Sequence, residues 1–347
     1  ITTASGSVNF GDTQDDIHRF TGSLEVTGSN IALGDGNNNV VLGRNVNLNV
    51  GGATNFTAVG YNAAGGNEGT GIGGSDITVV GGLAGQDMQQ NPHRTTLIGA
   101  SAGRRINVGL DNTMVGAYAG AYLTGADYNV FIGTYAGYAT VDVDKTVIIG
   151  YQAGYANMTS DADGTVAIGY QAGTNITSGQ RGIYIGYSAG KYESTGDDNV
   201  AIGWEAGSGG TGAAGNNGHR HTNVGSYAGT NLSKTGASGD NTFIGYKSGF
   251  GSRNVYYNVA VGNYAMSASV SGQSNVVIGY QAGDASVDVD KVVLVGQGAG
   301  GNGVMTSDAD GTVAIGYEAG SAITSGVGNL AIGYSAGISV TSGTANN

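Results

Sequence analysis

The chain has no cysteine and one proline, Pro92. Without cysteine there are no disulfides and no thiol chemistry, and the compartment stays open, because a repetitive β fold is stable without crosslinks. Charge is sparse: 11% of residues are Asp, Glu, Lys or Arg, with 25 acidic against 13 basic and a formal net charge of −12. No basic cluster is longer than Arg104–Arg105, so nucleic acid is not an expected partner. No apolar run approaches membrane-spanning length, so insertion into a membrane is not expected. The four histidines are scattered, no Ser/His/Asp arrangement stands out, and the glycine-rich 207–215 lacks the Lys-Ser/Thr and helix of a phosphate loop. No enzyme is expected, and no cofactor beyond a possible Ca²⁺.

What the chain has instead is glycine, 68 of 347 residues, arranged in a repeat. The stretch TVAIGYQAG at 165–173 recurs in close variants from end to end. Measured at its first glycine, strong copies fall at 16 places from Gly60 to Gly333, with weaker forms at Gly34 and Gly43; ten of the intervals are 17 residues. The third residue after that glycine is Ala in 15 of the 16 strong copies, Ser248 being the exception. The fourth is Gly in 14, with Ala64 and Met266 the departures. Small residues at fixed places imply close backbone approach or positive φ. Self-similarity at such a period means one coil per repeat, so the expected fold is all-β, a parallel β-solenoid (β-roll) of about 16–18 coils. At the ~4.7–4.9 Å spacing of a parallel ladder, that makes a rod roughly 75–90 Å long.

Just before each first glycine stand three residues of alternating constraint. The outer two are Ile, Val, Leu or Thr, and the middle one is unrestricted, as in Ala167, Phe131 and Asn223. Period two is a strand signature, and the strict positions are expected inside. That places Leu97, Met114, Phe131, Ile148, Tyr184, Phe243, Val277 and Leu294 outside, as an apolar stripe where parallel copies meet.

Four regions follow: a β-rich linker module over 1–30, irregular coils with loops over 31–98, regular solenoid over 99–343 interrupted by a loop at 208–222, and a polar tail at 344–347. Loops at 65–74 and 86–95 are expected to protrude with 208–222 and carry recognition. A longer duplication overlies the coils: 131–190 match 277–337, including VDVDK and TSDADGTVAIGY in both. Matching local structure is expected in the two copies. VDVDK and SDADG lie 19 residues apart, so their loops should stack. Asp142, Asp144, Asp161 and Asp163 would then crowd together, as would Asp288, Asp290, Asp308 and Asp310. A hard, oxygen-liganded ion such as Ca²⁺ would relieve the repulsion, and simple solvated loops are the alternative. His219, Arg220 and His221 form the densest polar cluster and a candidate binding loop, or half of a metal site. Trp204 heads the aromatics that follow the first glycine, either a glycan-stacking track or a structural ladder.

The segment IHRFTGSLEVTGSNIALG resembles modules that precede repeats in phage tail-fibre and related virion proteins. NNVVLG (38–43), DNVAIG (198–203) and SNVVIG (274–279) resemble the NSVAIG-type signature of YadA-like trimeric autotransporter adhesin heads, although the period here is longer and Asn stands one position nearer the glycine. IGYQAG-like repeats are also similar to those of phage fibres that end in a self-cleaving chaperone. These resemblances imply a parallel homotrimer and a structural, host-attaching fibre at the virion surface whose partner is a cell-surface glycan or protein. A bacterial cell-surface adhesin head is the alternative. An ice-binding solenoid is the third, and it would need a flat outer face of paired Thr.

Overall fold

The computed structural model describes residues 38–46, 52–65, 72–88, 92–209, 218–232 and 239–342. The expected linker module at 1–30, the tail at 344–347 and the central parts of the three expected loops (66–71, 89–91 and 210–217) lie outside the described residues.

The protein is a parallel β-solenoid of about 17-residue spacing. Seventeen strands form one parallel sheet among the described residues. Most are three residues long, such as Thr113–Val115, Val130–Ile132 and Val147–Ile149. Each pairs in register with the same residues of the next coil, Met114 opposite Phe131 and Phe131 opposite Ile148. The backbone bonds therefore run from coil to coil: Val130 N–H donates to the Thr146 carbonyl at 2.9 Å, and Gly133 N–H to the Val115 carbonyl at 2.8 Å. A second, narrower parallel face pairs Asn254–Tyr256 with Ser271–Gln273 and continues as single bridges such as His93 with Leu110 and His219 with Gly239.

Glycine closes each coil at two places. Gly133 has φ +128°, and a Cβ there would lie 2.6 Å from the carbonyl oxygen of Gly150 in the next coil. Gly137 has φ +59°, and a Cβ there would lie 2.8 Å from the Phe131 ring. The first glycine thus lets backbones stack, and the second lets the turn pass over the core. Ala64 and Met266 keep the left-handed backbone of the missing second glycine, at φ 49° and 55°.

The core consists of columns of side chains running along the rod. One holds the middle strand residue, a second the Ala three residues after the first glycine (Ala119, Ala136, Ala153), and a third residues such as Ile106, Leu123 and Ile176. Here the structure corrects the expected orientation. Leu97, Met114, Phe131, Ile148, Tyr184, Phe243, Val277 and Leu294 are at most 2% exposed and face inward, and the strict residues on either side of them face out. A three-residue strand must put one residue on one face and two on the other. The interior of so narrow a coil takes the one. Its size varies because neighbouring coils share volume, so Phe131, Ile148, Ala167, Tyr184 and Ala201 fill the column by compensation rather than by repetition.

Among the described residues the buried apolar side chains form two clusters, one reaching from Val46 to Ala206 and the other from Ala228 to Ala331. Between them the middle strand position is Asn223, 1% exposed, with no hydrogen-bond partner for its Oδ1 among the described residues. The duplicated segments do share local structure: Ser160–Ala162 and Ser307–Ala309 each form one 3₁₀ turn, ending at Asp163 and Asp310 with nearly the same backbone angles. These turns take up the extra residues of the longer repeats. The rest of the coil keeps its register.

Candidate functional site

Four columns of side chains on the solenoid carry the candidate functions, and each is set by its distance from the first glycine.

The outer sheet face holds two ranks. One rank is Thr96, Thr113, Val130, Val147, Val166 and their counterparts, and the other is Ile98, Val115, Ile132, Ile149, Ile168 and theirs. In the second rank Ile98, Ile132, Ile202, Ile244, Ile278 and Ile315 are each 37–39% exposed. Strands held in one register run these side chains along the whole sheet as a continuous, largely apolar strip. Seventeen strands at ~4.8 Å, each about 10 Å across, make a strip of roughly 800 Å². Soluble monomers rarely expose more than a few hundred Å² of contiguous apolar surface.

Beside that strip runs the aromatic ladder. Tyr151, Tyr170, Tyr187 and Trp204 follow successive first glycines and stack with centroids 5.4, 4.9 and 4.1 Å apart. Tyr317 and Tyr334 stack in the same way at 5.1 Å. The rings are 39–46% exposed, apart from Tyr334 in the last coil at 79%. After Gly225 the corresponding residue is Ser226, so no ring continues the stack beyond Trp204 among the described residues. A neighbouring group packs Tyr118 on Tyr135 and Tyr138 on Tyr155. Lys247 lies over the rings of Tyr227, Tyr246, Phe250 and Tyr264 at 5.2–5.9 Å.

The acidic residues are distributed by register. Six residues before the first glycine, a carboxylate accepts the backbone N–H of the preceding coil: Asp163 from Asp144 at 2.8 Å, Asp144 from Asp127 at 2.7 Å, Asp310 from Asp290 at 2.8 Å and Asp290 from Gln273 at 2.7 Å. Asp288 accepts from the Ser271 hydroxyl at 2.8 Å. The loops therefore do stack, and Asp144, Asp163, Asp290 and Asp310 each hold one coil to the next. Asp142, Asp161 and Asp308 are not drawn into a common set with them: no group of three or more His, Cys, Asp or Glu placed to hold a metal ion occurs among the described residues.

His219, Arg220 and His221 occupy consecutive ladder positions, and their side chains diverge. His219 Nδ1 accepts the Asp197 backbone N–H at 3.0 Å, the work an Asp does in other coils. Arg220 forms a two-pronged pair with Asp240, at 2.6 and 2.9 Å, repeated by Arg94 with Asp111 and Arg181 with Asp198. The hydrogen bonds from these guanidinium groups hold Asp111, Asp198 and Asp240 below the usual carboxylate range. His221 is buried, and desolvation pushes its imidazole down to about 4. These residues join coils, and the expectation that 208–222 projects as a unit is corrected for 218–222, which lie in the ladder.

A fourth column escaped the reading of the residues. Four before the first glycine, buried Asn side chains bridge coils. Asn129 Nδ2 donates to the Val143 carbonyl at 2.7 Å, and its Oδ1 accepts the Thr146 backbone N–H at 3.0 Å. Asn258 and Asn275 repeat the arrangement. The signal was present, since Asn39, Asn112, Asn199 and Asn241 share the position. It reads as a sequence signature until the coil is closed and the amide is seen to face inward.

No helix among the described residues is long and apolar enough to cross a membrane. No protein-family model, curated protein or solved structure matches this chain.

Proposed function

We propose that this protein is the non-catalytic shaft of a fibre, built as a parallel homotrimer, that attaches a virion to its host cell in the manner of a phage tail fibre. The observation that carries the reading is the outward two-rank strip. Its ~800 Å² footprint is about what each partner contributes to a standard stable interface, and its β-branched residues present a flat, rotamerically stiff surface that a second copy in the same register can meet. The regular core explains why the shaft is rigid, and the acidic, polar remainder of the surface keeps it dissolved. The fibre and adhesin resemblances of the repeats favour three copies. A bacterial adhesin head would use the same strip, and the gene context decides between the two: virion-assembly genes support the first, cell-surface export genes the second. An ice-binding face is disfavoured, because the rank containing Ile98 and Ile132 has no Thr in any coil of the sheet.

Sedimentation of the purified chain tests the assembly. A trimer across the micromolar range is expected, and a rod that stays monomeric overturns it. Attachment is tested by adding the purified chain to host cells, where it should compete with virion adsorption.

A further inference from the structure

The aromatic columns are interrupted between Tyr192 and Phe250, and this gap is a cavity. In five of the 16 strong copies the fifth or sixth residue after the first glycine is aromatic: Tyr122, Tyr138, Tyr155, Tyr192 and Phe250. After Gly203 these positions are Ser208 and Gly209. The notch has a volume of about 380 Å³ and is walled by Tyr187 and Tyr192 on one side and Tyr227 and Phe250 on the other. Its polar groups are Lys191, Glu205, Ser208, Thr230 and Asn231.

We propose that this notch is a saccharide-binding site that takes one pyranose ring of a host-surface glycan. This deepens the attachment reading and rests on it. Tyr187 and Tyr192 belong to the coil before the Gly203 coil and Tyr227 to the coil after it, two spacings apart, roughly 10 Å, with Phe250 one coil further on. Two aromatic walls at that distance admit one ring-shaped guest in place of the absent side chain. A pyranose offers an apolar C–H face to an aromatic ring and a rim of hydroxyls to Glu205, Thr230 and Asn231, the mix of ring faces and few polar groups that small-ligand sites use. A polyphosphate fits poorly, since Lys191 stands against Glu205 in a chain of net charge −12.

The frame is already built. Glu205 N–H donates to the Tyr187 carbonyl and Tyr227 N–H to the Trp204 carbonyl, both at 2.8 Å, and the Thr230 hydroxyl donates to the Glu205 carbonyl at 2.8 Å. Little ordering is left for binding to do.

Saturation-transfer NMR on the purified chain with the methyl pyranosides of glucose, galactose, mannose, N-acetylglucosamine and N-acetylneuraminic acid tests the site. At least one sugar should receive saturation from wild type and from Tyr135→Ala, a ladder variant far from the notch. Glu205→Gln and Tyr192→Ala should weaken that sugar's affinity tenfold or more with an unchanged melting temperature. No transfer to any of the five, an undiminished signal in both notch variants, or equal loss in Tyr135→Ala overturns the proposal. Sedimentation of the same samples separates the claims: a trimer that ignores sugars removes the notch alone, and a monomer that binds them removes the assembly alone.

Discussion

His221 stands in a column otherwise occupied mainly by Asn and Thr, and it is the one member that titrates. Burial favours its neutral form, so its folded value of about 4 lies below the ordinary 6.5. Between those two values the unfolded chain binds the extra proton and the folded chain does not. Stability from this group is therefore full above pH 6.5 and falls as pH drops toward 4, by about 3 kcal/mol in all. His221→Asn should remove that slope, and denaturant melts of the two proteins at pH 7 and pH 4.5 check it. The three Arg-paired carboxylates lose their contribution at lower pH, as they protonate, so the windows are distinct. Gly137 makes the opposite kind of statement, about shape. Gly137→Ala should cost ~1–3 kcal/mol through left-handed backbone and pressure on Phe131. Ala64→Gly, which restores the glycine of the repeat, should gain up to about 1 kcal/mol; thermal melts should show opposite shifts.

At the scale of the coil, the period, the strand and the two glycines were legible, because each is a local constraint that recurs every 17 residues. Which side faced in was not. Alternation is symmetric between inside and outside, and restriction was taken as the mark of burial. In this coil Phe131 and Ala167 vary because the interior averages volume over neighbours, and Ile132 and Ile168 are uniform because the outer face repeats one environment. The Asp ladder was hidden for a related reason: VDVDK and SDADG were seen to stack, but the backbone N–H groups that take the carboxylates carry no sequence signal. Tyr192, Tyr227 and Phe250 share a cavity because the two coils between Tyr192 and Phe250 carry no ring in that column, only Ser208 and Gly209, then Thr230 and Asn231. Asn223 was visible as one of the unrestricted middle residues and not as a break in the core. Asn223→Val, matching Val277 in the same column, should stabilise by ~1–3 kcal/mol by removing a buried amide oxygen that has no partner among the described residues. Calorimetry should show the melting temperature rise.

For the whole molecule, the inversion of the strand moves the proposed contact between copies from the Phe131 column to the Ile132 rank. Ile132→Asp with Ile244→Asp should leave the monomer folded, since both side chains are already partly in water, and should dissociate the proposed trimer by desolvating two carboxylates per chain on assembly. Phe131→Asp should instead disrupt the coil itself. Sedimentation joined to circular dichroism distinguishes the two outcomes; a double variant that remains trimeric would place the contact on another face.

The seam at Asn223 acquires a further meaning when the rod is pulled. Tension along the axis passes from coil to coil through parallel sets of backbone bonds in series, and in a series the weakest junction sets the strength. The described turns and ladders are nearly alike from coil to coil, but at Asn223 the apolar core is interrupted among the described residues. Under axial tension the solenoid would therefore open first at that coil, between the two apolar clusters.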